Sequence, residues 1–433
     1  MVAGSAPRAL TTPPPPPPPG GSARAGVEVP LQRGLGVRYW LVWLSTVLSG
    51  LGDGIVYVAI PLVANRLTDN ELLVASVTAV GELPWLLVAL PAGTWLDRGN
   101  QRSIMQFIEL SRMAALWALC LMIAADRNSI GLLLVVAFVL GSLQTAYSAG
   151  AHAVLPQIVR TDQLVRANGF IASGETAANS MAGPALGGLL FAAAASLPFL
   201  VDGASFAVSA VLLTAALPLV KRSPGTRRRT FREDLGEGVS YFRQHQVLRT
   251  LAVTTAVLAF AQAMVMATLV LLVRRSVGLS DTGFGFVLAV GAIGSIIGGV
   301  TADRIDRRFG TASVLIVAGL IASAGYVTLG AAGSFVPVAI GIALEGFAVT
   351  VGTVSSVSLR QRLVPPAFLG RVGNIFRLVI YGLLPIGALA GGALAAIFGN
   401  RSPMFVAGIA QASAMVVLGP RLRRVIRRDR AVS

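Results

Sequence analysis

Twelve runs of about 20 mainly apolar residues, separated by short polar loops, leave this chain one solvent in which to fold. The runs cover 39–64, 72–95, 104–125, 130–151, 170–195, 197–220, 251–273, 283–302, 312–332, 335–357, 375–398 and 403–420. About 20 such residues are what an α-helix needs to cross the hydrocarbon core of a bilayer. Charged residues make up only 12% of the 433, too few to cover a soluble surface of that size. The sequence therefore predicts an all-α integral membrane protein whose first partner is the lipid bilayer.

The formal net charge of +16 acquires meaning once it is sorted by loop. Twelve spans put both termini on one side. That side takes Arg98, Arg102, Arg160, Arg166, the 221–249 cluster, Arg304, Arg307, Arg308, Arg371 and the tail from Arg421. The other side keeps only Arg66, Arg127, Arg274, Arg275 and Arg401. The positive-inside rule then predicts cytoplasmic termini. Because Lys221 is the one lysine beside many arginines, a GC-rich bacterial source and a multi-pass place in the plasma (inner) membrane are expected. Basic residues scattered over loops do not make a nucleic-acid surface, so no nucleic-acid partner is expected. Cys120, His152 and His245 stand on separate segments without companion ligands, so no metal is expected either.

The chain also repeats itself. Gly93, Asp97, Arg98 and Arg102 close one apolar run, and Gly299, Asp303, Arg304 and Arg308 close another 206 residues later. Arg166-Ala167-Asn168-Gly169 and Arg371-Val372-Gly373-Asn374 each open a run holding a glycine pair, Gly183/Gly187 and Gly387/Gly391. An offset held at 204 to 206 residues is the mark of internal duplication. Residues 38–220 and 250–420 are read as two pseudo-symmetric six-helix halves. They are joined by a basic linker, 221–249, preceded by a proline-rich arm, 1–37, expected to be disordered, and followed by a basic tail, 421–433.

Six spans, a basic bridge, six spans and a Gly-x-x-x-Asp-Arg loop after spans 2 and 8 together resemble the major facilitator superfamily of secondary transporters. Trp95, Asn100 and Gln101 in the first copy, and Thr301 and Asp306 in the second, depart from the family pattern. The resemblance implies that Asp97, Arg98 and Arg102, with their counterparts Asp303, Arg304 and Arg308, form a gating loop that holds the outward-facing conformation. Gly183-Pro184-Ala185-Leu186-Gly187-Gly188 looks like the helix motif of the superfamily's drug antiporters. Small residues there let helices approach closely, and proline removes one backbone hydrogen bond. The loop Leu155-Pro156-Gln157 through Asn168 further resembles exporters of the enterobactin and macrolide type.

The chain has no glycine-rich phosphate loop ending in lysine, which excludes P-loop ATP hydrolysis. A downhill ion gradient, most simply protons, is then the energy source, and no cofactor is needed. Ionisable groups inside a membrane are costly and mark function by default. Asp53, about 14 residues into its span and flanked by Gly52 and Gly54, is the first proton-coupling candidate, with a structural hydrogen-bonding role as the alternative. Glu82 and Glu345 are the next candidates. Glu109 and Arg112, three apart on one helix face, are expected to pair, as are Glu175 and Arg377. Asp202, close to a span end, is expected to reach the headgroups. Gln144, Asn179 and Gln262 are uncommitted polar groups.

These readings predict a non-enzymatic transporter, functional as a monomer, that exports a lipophilic small molecule by alternating access. An acidic surplus in the spans favours a cationic or neutral substrate. An importer of a metabolite on the same fold and a non-transporting membrane sensor are the alternatives.

Overall fold

In the computed structural model, residues 35–88, 101–160, 163–216 and 239–432 are described. Nearly all of the proline-rich arm, most of the basic linker, and Gly93, Asp97 and Arg98 lie outside the described residues. Every regular element among the described residues is helical. In chain order these are α1 (Gly36–Leu67), α2 (Glu71–Leu87), α3 (Gln101–Ala124), α4 (Ile130–Ile158), α5 (Leu164–Glu175), α6 (Gly183–Ala193) and α7 (Leu197–Ala216). Then follow α8 (Gln246–Leu271), α9 (Asp281–Phe309), α10 (Thr311–Ala331), α11 (Phe335–Leu363), α12 (Pro366–Phe398) and α13 (Ser402–Val432).

Ten helices among the described residues are long and apolar enough to cross a bilayer. Val37, Leu121, Val300, Ile397 and Phe398 turn outward from the bundle. In helices whose backbone bonds are satisfied internally, such side chains belong against lipid. The chain is thus a multi-pass membrane protein. The expected run 72–95 corresponds to α2 in its described part, and 170–195 to α5 and α6 joined by the π-helical turn Thr176–Ala182.

Proline explains that turn. Pro184 has no N–H to give to the preceding turn, and Gly183 N–H instead reaches back five residues to the Ala178 carbonyl. A second π-helical turn, Leu272–Ser276, ends α8 and carries Arg274 and Arg275. Short polar caps set the neighbouring starts: Asn70 accepts from Leu73 N–H, Ser129 from Leu132 N–H and Ser280 from Gly283 N–H, each satisfying one otherwise orphaned helix donor.

Glycines set the packing, and they do so in the same way in both repeats. A side chain at Gly183 or Gly187 on α6 would strike the α1 backbone at Gly54 or Ile55, while one at Gly188 would strike Asp281 and Gly285 of α9. In α12, Gly387 and Gly391 face Phe260 and Met264 of α8, and Gly392 faces Leu72 and Ala75 of α2. Each glycine run thus fastens its helix to one neighbour by two positions and to a second by the third: α6 to α1 and α9, and α12 to α8 and α2.

Both flanks of the second set of helices pack onto the bundle where they are described. The tail after residue 420 continues α13 to Val432, because Leu422, Val425 and Ile426 bury against Val247, Leu248 and Leu251 of α8. The described end of the linker packs on the same cluster: Tyr241 stacks on Phe368 with ring centroids 4.7 Å apart, and Phe242 meets Phe376 edge-on.

Candidate transport site

The site begins where α1 passes between α7 and the π turn. A side chain at Gly52 would collide with Asp202 and Ser205 of α7, and one at Gly54 with the Asn179 backbone. The two glycines therefore let α1 sink between these elements, which brings Asp53 against the α3 face that carries Glu109 and Arg112. Arg112 Nη2 donates a hydrogen bond to Asp53 Oδ1. Its Nη1 lies 3.7 Å from Glu109 Oε2, and its guanidinium stacks on the Phe206 ring at 3.9 Å, a contact that suits a desolvated cation.

The carboxylates are held by hydroxyls. Ser209 donates to Glu109 Oε1 at 2.7 Å and shares a 2.7 Å hydrogen bond with Ser45. Ser205 donates to Asp202 Oδ1 at 3.0 Å. Glu109, Arg112 and Asp202 are 0%, 2% and 1% exposed, so their charges cannot be met by bulk water and must be met by one another. One guanidinium pairs with Asp53 and Glu109, and Asp202 lies within its electrostatic reach. Asp202, expected at the headgroups, is instead a buried member of this cluster, because its helix face turns toward Gly52.

Asp53 borders two cavities. One, of about 270 Å³, is lined by Tyr57, Glu82, Arg112, Gln144, Asn179 and Asp202 among mainly apolar walls. The other, of about 550 Å³, lies toward Thr46 and is bordered by Trp85, Gln144, Glu175, Asn179, Arg377 and Tyr381. Trp85 of α2 and Tyr381 of α12 stack with centroids 4.7 Å apart, so α2 and α12 meet directly at this wall. Glu82 faces the smaller cavity with no hydrogen-bond or ion-pair partner among the described residues. Glu345 sits on α11, buried, and accepts from Gln262 Nε2 at 3.0 Å. Tyr57 lies within electrostatic reach of both Glu82 and Glu345. Glu175 and Arg377, expected to pair, are both exposed on the larger cavity, and no ion pair joins them among the described residues.

The second gating-loop copy is described in full. Asp303 pairs with Arg307 of its own helix at 2.6 Å, both largely exposed. Arg304 is exposed, Arg308 lies over the Phe309 ring, and Gly299 approaches Thr350. The buried acid here is Asp306, which departs from the family pattern. It takes Arg362 Nη2 at 2.9 Å and the Thr311 hydroxyl at 3.0 Å.

Sequence reasoning missed an ionic latch at the opposite end of the bundle, where the α1–α2 turn meets the end of α8 and the start of α9. Arg275 donates to Asn65 Oδ1 at 2.7 Å, the Thr68 carbonyl at 2.7 Å, the Asp69 carbonyl at 2.9 Å and Glu71 Oε1 at 3.4 Å. Arg66 and Arg274 both reach Asp281, at 2.7 and 2.9 Å. Arg66, Arg274 and Arg275 had counted only as the sparse positive charge of one side. The available signal was that this nearly chargeless side keeps Asp69, Glu71 and Asp281 within a few residues of those arginines.

Residues 30–431 match the family described as transmembrane secretion effector, within the major facilitator superfamily. The chain belongs to that superfamily. Among its relatives are macrolide efflux protein A of Streptococcus pyogenes, 22% identical over 84% of this chain and 90% of the relative, and the multidrug efflux pump Tap of Mycolicibacterium fortuitum, 23% identical over 89% and 96%. A bacterial homologue of the human lysosomal transporter Spinster, solved inward-facing and unoccupied, shares the major facilitator fold. It has a TM-score of 0.69 at 16% identity, over 90% of this chain and 97% of that one.

Proposed function

We propose that this protein is a proton-coupled exporter of a lipophilic, cationic or neutral small molecule, built of twelve spans in two six-helix halves with both termini cytoplasmic. It would act as a monomer in the plasma membrane, with the proton gradient in place of a cofactor. The observation that carries the reading is Asp53: a carboxylate bonded to a buried arginine and shared by two cavities, one of which opposes Trp85 and Glu175 to Tyr381 and Arg377. A proton arriving at Asp53 removes the charge that holds Arg112, so loading and conformation are linked through one hydrogen bond. The relatives named for macrolide and multidrug efflux support export over import.

In this orientation the ionic latch closes the outer end, the described state faces inward, and alternating access proceeds by rocking of the two halves about the site. The test is ethidium accumulation in pump-deficient cells expressing wild type or Asp53→Asn at matched membrane levels, with and without a protonophore. Wild type alone should lower accumulation, and the protonophore should abolish the difference. Equal accumulation in all cells would overturn the reading.

A further inference from the structure

The cluster around Arg112 holds more acid than one coupling residue requires. Three carboxyl groups, Asp53 on α1, Glu109 on α3 and Asp202 on α7, surround one guanidinium on α3. The other ionisable groups facing the cluster are Tyr147 of α4, whose ring is 5.9 Å from the guanidinium, Glu175 of α5, within electrostatic reach of Asp53, and, on the walls of the two cavities that Asp53 borders, Tyr57 of α1, Glu82 of α2, and Arg377 and Tyr381 of α12. Of these only Arg377 is positive, and it is exposed in the larger cavity, where water meets its charge. If all three carboxyl groups were ionised, the cluster would carry two negative charges in excess. The effective penalty for each uncompensated buried ion is several kcal/mol. The cluster is therefore neutral only when two of the three hold protons.

Geometry says which of those protons can exchange. Asp53 and Asp202 both line the 270 Å³ cavity, whereas Glu109 lines neither cavity. Glu109 Oε2 and Arg112 Nη1 are buried without a hydrogen-bond partner and stand 3.7 Å apart, so a movement of about 0.8 Å brings them to bonding distance. Arg112 thus has an alternative anion in Glu109, and once it turns from Asp53 to Glu109 the two protons of the neutral cluster sit on Asp53 and Asp202. Glu82 also lines this cavity, a carboxyl group with no hydrogen-bond or ion-pair partner among the described residues, and with no cation beside it, it is counted here as protonated and outside the exchange.

We propose that Asp53 and Asp202 are two exchangeable proton sites of one cation-binding cavity, so that the cavity accepts dications and releases one proton for each positive charge bound. The proposal rests on the proton-coupled export reading. Its balance is simple: two carboxyl groups give two protons to water as two cationic groups of the ligand settle beside the resulting carboxylates, and the net charge of the cavity does not change. A monocation displaces one proton and leaves the other in place.

The experiment uses the purified full-length protein in weakly buffered detergent solution, with a pH-indicator dye reading protons released on titration with methyl viologen, a dication, or ethidium, a monocation. Wild type should release two protons per methyl viologen and one per ethidium. Asp202→Asn should weaken methyl viologen binding at least thirtyfold and ethidium binding no more than about threefold, and release no more than one proton with either. Asp202→Glu should restore the second proton. One proton or fewer per bound dication from wild type, a dication that does not bind where ethidium does, or equal weakening of both ligands by Asp202→Asn would overturn the proposal. The wild-type counts decide it even where the variant fails to fold. Ethidium binding without any proton release would instead defeat the proton-coupled reading itself.

Discussion

Arg112 is the residue on which the buried cluster depends, because removing it leaves the acid without a counter-ion and removing an acid does not. Taking away one partner of a buried ion pair costs about 3–5 kcal/mol. Arg112→Ala is therefore expected to lower the thermal unfolding midpoint in detergent sharply, or to abolish recovery of folded protein, whereas Asp53→Asn alone costs little. Combining Asp53→Asn with Arg112→Ala should recover part of the loss, since one stranded carboxylate has gone. Fluorescence-detected size exclusion after a heating series measures this, and a double variant no better than Arg112→Ala would contradict the charge accounting. Asp53 was legible in the sequence because an acid between two glycines deep in an apolar run has few explanations. Asp202 was not. Its position gave its depth along a helix, but only the packing of α7 against Gly52 gives the direction in which it points.

Single helices carry two kinds of glycine, and the contacts separate them. Gly187 meets the α1 backbone, with the Ile55 carbonyl oxygen 2.5 Å from where a side chain would begin. Gly188 meets α9, 2.9 Å from the Asp281 carbonyl and 3.1 Å from Gly285 Cα. Overpacking against backbone that cannot yield costs about 1–3 kcal/mol. Gly187→Val should therefore lower the thermal midpoint, because α1 and α6 pack within one repeat. Gly188→Val should leave the midpoint nearly unchanged and separate α6 from α9, raising labelling of a Thr78→Cys reporter on the cavity wall, with Cys120→Ser as background. Equal loss of stability in both variants would show that the two contacts do the same work. The pairing of the two glycine runs was legible as a fixed offset, because duplicated helices keep their small residues at duplicated positions. The π turn before Pro184 was legible only as a place to bend. Which carbonyl the displaced N–H would find depends on how α1 presses on Asn179.

At the scale of the whole molecule, the proposed rocking of two halves requires that they be held at one end and freed at the other, and the latch is where the held end can be weakened without touching the site. Arg275 alone ties the turn after α8 to Asn65, Thr68, Asp69 and Glu71. Partly exposed ion pairs contribute about 0.2–1 kcal/mol each, and hydrogen bonds to carbonyls about 0.5–1.5 kcal/mol. Removing Arg275 should cost the closed end about 2 kcal/mol, a shift of roughly thirtyfold in the balance between states. None of these residues touches the cavity, so substrate affinity of the described state should hardly change. The expected result for Arg275→Ala is faster modification of the Thr78→Cys reporter by a membrane-impermeant maleimide added outside, in the proposed orientation. Salt gives the second axis of the test. Exposed charge pairs are screened as ionic strength rises, so labelling of the otherwise wild-type reporter protein should increase with salt, and that of Arg275→Ala should increase less, because only the Arg66–Asp281 pair is left to screen across the latch. Labelling that is slow and indifferent to salt in both would mean that the glycine contacts between α6 and α9 and between α12 and α2 hold this end by themselves.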